Sequence, residues 1–207
     1  MNIEGSLIIV SAPSGTGKTS LVTGVCRELN KLQKSVSHTT RKMRVGEKNG
    51  VHYNFVTKQK FDEMLAQDIF LEHAEVFGNS YGTSRDWVTE TLKQGIDVIL
   101  EIDWQGAQQI RSKMPDVISV FILPPSDAIL RQRLVDRKQD SDGSITLRLD
   151  QAKNEVTHYN EYDYLIVNDD FQLALHHLIA IISAARLRIC RQRYIWELLI
   201  DQICHKP

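Results

Sequence analysis

Uninterrupted apolar runs recur along the chain, and each is followed by residues that end a strand. Leu7-Ile8-Ile9-Val10 has nothing polar inside it, the pattern of a strand buried on both faces. Gly and Ser residues break the run at once, and a helical spacing follows through Leu21, Val22, Val25 and Leu29. Residues 98–102 predict a second buried strand, with a helix through Ala107 and Ile110 behind it. Residues 117–123 predict a third, stopped by Pro124-Pro125, with Ser126 placed to cap the next helix. A fourth is predicted at residues 164–167, ahead of a long helix running from Phe171 to about Ile203. Apolar strands alternating with helices predict an α/β fold, a parallel sheet flanked by helices on both faces.

Two segments break this rhythm. Residues 35–83 carry shorter, half-polar strand patterns at 36–40, 51–56 and 76–81, and a helix pattern at 61–66. They predict a small mixed-β domain inserted into the core. Residues 126–159 are charged and helical, and predict a second insert. The expected division is a core of residues 1–34, 84–125 and 160–190, with inserts at 35–83 and 126–159. Residues 191–207 then form a C-terminal helical extension. Trp104 and Phe121 are expected in the core, and the basic cluster at 186–193 on a charged helix face.

Charge narrows the function. In 207 residues, 25 Lys+Arg stand against 26 Asp+Glu, which argues against a chain built to coat nucleic acid. The most apolar stretch, residues 173–185, is interrupted by His176 and His177 and falls short of the ~20 residues a membrane span needs. The three cysteines, Cys26, Cys190 and Cys204, suggest reduced thiols. The expectation is a cytoplasmic protein with neither membrane nor nucleic-acid partners.

Candidate chemistry begins between the first strand and its helix. Ser11-Ala12-Pro13-Ser14-Gly15-Thr16-Gly17-Lys18-Thr19-Ser20 nearly matches G-x-x-x-x-G-K-[ST], with Ala12 in place of the first glycine. In such a loop, backbone N–H groups and a helix N-terminus converge on phosphate oxygens. Lys18 supplies a positive charge, and Thr19 a hydroxyl for Mg²⁺. This predicts a P-loop core that binds a nucleoside triphosphate. A GTPase would carry N-K-x-D, and the nearest segment here is Val167-Asn168-Asp169-Asp170. Instead Arg41 and Arg44 stand three apart, two guanidinium forks able to clamp a phosphate monoester.

With these motifs in view, the chain resembles the guanylate kinases. The matching stretches are residues 11–19, S-V-S-H-T-T-R at 35–41, F-L-E-H-A at 70–74, Y-G-T at 81–83, I-D-W-Q-G at 102–106 and I-V-N-D-D at 166–170. The resemblance implies phosphoryl transfer from ATP to GMP with Mg²⁺, and a P-loop core with a nucleotide-monophosphate-binding domain and a helical lid. By resemblance, Ser37, Arg41, Arg44, Glu47, Tyr53 and Tyr81 line the GMP pocket on its phosphate side, and Glu72, Thr83 and Asp103 read guanine. A carboxylate such as Glu72 can accept N1–H and the 2-amino group as a pair, while the Ser37 and Thr83 hydroxyls donate to O6 or N7. Glu101, where the family has Asp, joins Thr19 at the metal, and Asn168 joins the ATP-binding residues. Arg133 and Arg137, four apart on a helix, and Arg148 resemble lid arginines that neutralise the transferring phosphoryl group. A protein-binding module on the same fold, or a kinase for another small acceptor, are the competing expectations. Apolar residues late in the long helix predict a homo-oligomer, with a tail folded back on the core as the alternative.

Overall fold

The computed structural model describes residues 4–136 and 142–204. The chain begins with β1 (Leu7–Ser11), α1 (Lys18–Glu28) and β2 (Leu32–Lys34). It continues through β3 (His38–Thr39), β4 (Asn54–Phe55), α2 (Lys58–Ala66), β5 (Phe70–Val76) and β6 (Asn79–Ser84). Next come α3 (Arg85–Lys93), β7 (Asp97–Glu101), α4 (Trp104–Lys113), β8 (Ile118–Leu123), α5 (Asp127–Asp136) and α6 (Asp142–Val156). The last elements are β9 (Tyr164–Val167), α7 (Phe171–Arg186), α8 (Ile189–Ile195) and α9 (Glu197–Cys204).

Five strands form a parallel sheet in the order β2-β7-β1-β8-β9. Alternation along β1 feeds two cores. Ile8 and Val10 pack with Leu21, Val22 and Val25 of α1 and Leu178 and Ile182 of α7. Leu7 and Ile9 pack with Val88 and Leu92 of α3 and Ala107 and Ile110 of α4. A strand covered on both faces has no polar position, which is why LIIV reads as it does. The predicted fourth strand is different. β9 pairs with β8 at the sheet edge, and of its four residues only Ile166 is buried. β2 was not predicted, because Leu32-Gln33-Lys34 has no apolar run to read.

The insert forms a mixed sheet in the order β4-β3-β6-β5, parallel between β3 and β4 and antiparallel elsewhere. Thr57 caps α2 by accepting the Lys60 N–H at 3.1 Å, and Phe61 of that helix stacks on Phe70 at 4.6 Å. The expected strand at 76–81 is corrected to a hairpin, with β5 ending at Val76 and β6 starting at Asn79. Phe77 and Gly78 make the turn, both with positive φ (52° and 68°), as a two-residue hairpin loop requires.

The long helix expected from Phe171 is also corrected. It breaks after Arg186, and α8 leaves α7 at 58°. Arg186 Nε and Arg191 Nη1 both donate to the buried Asp97 carboxylate, at 2.7 and 2.9 Å. Five residues apart on one straight helix they would point ~140° apart. The break is what lets both reach one acid. The basic cluster is therefore partly a structural clamp rather than a solvated face. Among the described residues no single helix is long and apolar enough to cross a membrane.

Candidate active site

The phosphate loop leaves the C-terminal end of β1, the edge where ligands gather in parallel sheets. Gly15 and Gly17 carry its left-handed backbone (φ 94° and 91°), whereas Ala12 has no positive φ and fits where the family pattern has glycine. The loop is braced from the side. Asn168, buried, donates from Nδ2 to the Thr16 carbonyl at 2.6 Å. Arg133 of α5 donates to the Asn168 carbonyl at 3.2 Å and the Thr16 carbonyl at 3.5 Å. A Cβ at Gly17 would fall 2.5 Å from Asn168 Nδ2.

Beside the loop, Lys18 Nζ donates to the Ile102 carbonyl at 3.4 Å. Thr19 Oγ1 donates to one Glu101 carboxylate oxygen, and Lys34 Nζ donates to the other at 2.8 Å. Burial raises the Glu101 pKa, but the Lys18 and Lys34 charges and these hydrogen bonds outweigh it, and the net shift is downward. Glu101 is thus held ionised next to the Thr19 hydroxyl, two hard oxygen donors of the kind Mg²⁺ prefers. Lys34 was not singled out in the sequence; a lysine in a three-residue edge strand carries no motif.

A cleft of about 340 Å³ runs from this loop to the second sheet. It brings together Ser14, Lys18, Thr19, Ser37, Arg41, Arg44, Glu47, Tyr53, Glu72, Tyr81, Glu101 and Asp103 from the sequence prediction. Lys34, His52, Ala74, Val76, Phe77 and Ile102 line it as well. Thr83 sits behind Glu72, and Arg133 and Asn168 stand off the lining, at the loop. Arg137 lies outside the described residues; Arg148 is within α6, with its side chain outside them. Glu155 of α6, which carries no motif, lies within reach of the Lys18 and Asp103 charges. Burial pushes its carboxyl up to about 7, against the pull of Lys18.

At the far end of the cleft, Arg41 Nη2 donates to Glu47 Oε1 at 2.7 Å, and the Arg44 N–H donates to Glu47 Oε2 at 2.7 Å. The Arg41 guanidinium also lies 5.4 Å from the Tyr53 ring and 5.6 Å from the Phe55 ring. Tyr81 meets Tyr53 edge-on. The hydrogen bond from Arg41 holds the Glu47 carboxyl below its usual range. Burial pushes the Tyr53 hydroxyl up to about 12, so it remains a donor. Glu47, an anion, orients the arginine; Arg41, Arg44, Tyr53 and Tyr81 are the groups suited to a phosphate.

Between the two ends sits Glu72 of β5, only 3% exposed. Thr83 Oγ1 donates to Glu72 Oε1 at 2.5 Å, and Ser37 Oγ stands 3.4 Å from that hydroxyl. Burial pushes the Glu72 carboxyl up to about 7, with the Asp103 charge adding to the shift and Thr83 opposing it. Asp103 caps α4, accepting the Gly106 N–H at 2.9 Å. Since the Thr83 proton goes to Glu72, Ser37 is the hydroxyl left facing the cleft. Trp104, expected in the core, is half-buried and stacks face-on with His158 at 3.7 Å, whereas Phe121 is fully buried as expected.

Residues 4–185 match the family model described as guanylate kinase. The chain is 57% identical to the guanylate kinase of Alcanivorax borkumensis over 189 residues, 91% of each chain. It is 55% identical to that of Escherichia coli strain K12 over 202 residues, 97% of this chain and 98% of the relative. The crystal structure of guanylate kinase from Anaplasma phagocytophilum superposes with a TM-score of 0.79 at 34% identity, covering 94% of this chain and 95% of that one.

Proposed function

Because the chain belongs to the guanylate kinase family, it moves the γ-phosphoryl group of ATP onto GMP, giving ADP and GDP, and we propose that the cleft between its two sheets carries out the transfer. The phosphate loop at Ser14–Thr19 holds the ATP phosphates through its amides and Lys18. Arg41 and Arg44, with the Tyr53 and Tyr81 hydroxyls, hold the GMP phosphate. Glu72 and Asp103 accept from the guanine edge, and Ser37 donates to it. The observation that carries this reading is a buried acid, Glu72, supported by Thr83 and facing the same cleft as Lys18.

Thr19 and Glu101 have the donor chemistry to hold Mg²⁺, Glu101 through water, with the remaining ligands coming from phosphates and solvent. Among the described residues no cluster of three or more His, Cys, Asp or Glu could hold a metal alone, which suits a cation carried in with the nucleotide. Bound there, Mg²⁺ supplies charge neutralisation on the phosphate oxygens. The chain's own work is orientation: Lys18 and Arg41 bring donor and acceptor phosphates to one line, and Arg133 ties the α5 helix to the loop during transfer. Arg137 and Arg148 complete the set from the lid.

Intact phosphate-binding residues disfavour an inactive protein-binding module. The three free cysteines suit a reducing, cytoplasmic setting. The exposed Ile189 and Tyr194 of α8, Trp196 between the helices, and Leu198, Leu199 and Ile203 of α9 favour a homo-oligomer. A chain truncated after Arg193 should then sediment as a smaller species; unchanged sedimentation would contradict it. For the activity, a coupled assay of ADP release with ATP and each of GMP, AMP, CMP and UMP is the test. GMP should be the strongly preferred acceptor, and equal rates with AMP would overturn the reading.

A further inference from the structure

Helix α4 belongs to the core and β5 to the second sheet, yet one face of α4 grips three successive residues of β5. Gly106, Gln109 and Lys113 recur at spacings of three and four, which puts them on one side of a helix. Lys113 Nζ donates to the Leu71 carbonyl at 2.7 Å. Gln109 Oε1 accepts the His73 N–H at 3.1 Å, and its Nε2 donates to the His73 carbonyl at 2.6 Å. β5 is the edge strand of its sheet, so its outer backbone groups have no strand partner, and α4 supplies one in its place.

Glu72 lies between these two fixed points. A Cβ on Gly106 would fall 2.4 Å from Glu72 Oε2 and 3.1 Å from its Cδ. The register shift of β5 against β6 also falls here, between Phe70 and Glu72, and such an irregularity re-aims a side chain. We propose that this face of α4 determines acceptor specificity: Gly106 leaves the space in which the Glu72 carboxylate lies, while Gln109 and Lys113 fix the β5 backbone on either side of it. The position from which guanine is read is then set by the core. The proposal rests on the assignment of Glu72 as the guanine reader.

A methyl group at Gly106 would push the carboxylate by roughly an ångström to reach ordinary contact distance. The displaced atoms are the far end of a flexible side chain, and alanine is a better helix former than glycine, so the fold should survive. A paired acceptor that reads two donors on one base edge needs placement within ~0.5 Å. The change therefore falls on recognition.

The test measures kcat and KM for GMP and IMP in the wild-type chain, in Gly106→Ala and in Gln109→Ala, with thermal midpoints for all three. Gln109→Ala removes both bonds to His73 without placing an atom in the site. Each variant should raise the GMP KM about tenfold or more, the effect of one charged hydrogen bond lost. Each should change kcat less than KM and narrow the GMP-to-IMP ratio. A ratio unchanged in a folded Gly106→Ala and in Gln109→Ala would overturn the proposal and leave the functional reading standing. A wild-type chain that does not distinguish GMP from IMP or AMP would overturn the reading, and the proposal with it.

Discussion

Thr83 donates its hydroxyl proton to Glu72 at 2.5 Å, and both side chains are buried. The bond stabilises the ionised carboxylate, but burial prevails and the carboxyl titrates at about 7. On the proposed reading guanine presents two donors to this acid, and only the ionised form can accept both. The GMP affinity should fall about tenfold per pH unit below 7, and GMP binding near pH 6 should release a proton. In the protein without ligand the sign is opposite. The folded-state value lies above the ordinary 4.5, so the fold favours the protonated acid and loses stability as pH rises from about 4.5 to 7. The loss should be about 3 kcal/mol. Calorimetry in two buffers of different ionisation enthalpy reads the proton release. A GMP affinity flat from pH 5.5 to 8 would contradict the scheme.

Lys18 makes one weak hydrogen bond, to the Ile102 carbonyl, and Glu101 keeps Lys34 without it. Lys18→Ala should therefore leave the chain folded, with Lys34 still balancing Glu101, while lowering kcat by ~10²–10³, the loss expected of a preorganised charge. Turnover within a factor of a few of wild type would remove Lys18 from the transfer step.

Much of this was legible beforehand because the informative residues sit in unbroken patterns. LIIV followed by a glycine-rich turn declares a buried strand and a phosphate loop, and the carboxylates and arginines of the cleft lie in short motifs that survive outside their fold. The missing parts are those set by tertiary partners. The F-L-E-H-A motif marks Glu72, but its burial and its bond to Thr83 come only when β6 pairs with β5. Lys34 and Glu155 matter only because other segments bring Glu101 and Lys18 near them. The break after Arg186 has no glycine or proline to announce it, and Asp97, which both arms of the bend bond, is far away in sequence.

Glu47 touches Arg41 and the Arg44 backbone, so its role is to hold a guanidinium in place. Glu47→Gln should raise the GMP KM several-fold with kcat little altered, since a neutral amide can still accept from Arg41. Arg41→Ala should cost more, on the order of 10–100-fold in kcat/KM, through loss of a charged hydrogen bond to phosphate. Steady-state kinetics of the two variants would contradict this if Glu47→Gln were the more damaging.

Asp97 stands at the start of β7, at the end of the sheet away from the cleft, with Arg186, Arg191 and the Ser6 N–H converging on its carboxylate. Asp97→Ala leaves two arginines facing a vacated site and should cost ~3–5 kcal/mol. A fall of about 10 °C in the thermal midpoint is expected for a chain of this size. The GMP KM at 20 °C should be unaffected. A midpoint within 2–3 °C of wild type, below the ~6 °C that the smallest expected loss implies, would show that the clamp is not holding the C-terminal helices.

The central claim is that Glu72 reads the guanine base, and Glu72→Gln assayed with GMP and with IMP tests it most directly. The substitution keeps the shape of the side chain but turns one of its two acceptors into a donor, facing a donor on the base. IMP keeps N1–H and O6 and lacks the 2-amino group, so it has less to lose. The GMP KM should rise by about 10–100-fold, and the GMP-to-IMP preference should narrow. Equal losses for the two acceptors would mean that Glu72 does not read the 2-amino group, and an unchanged GMP KM would mean that it does not read the base at all.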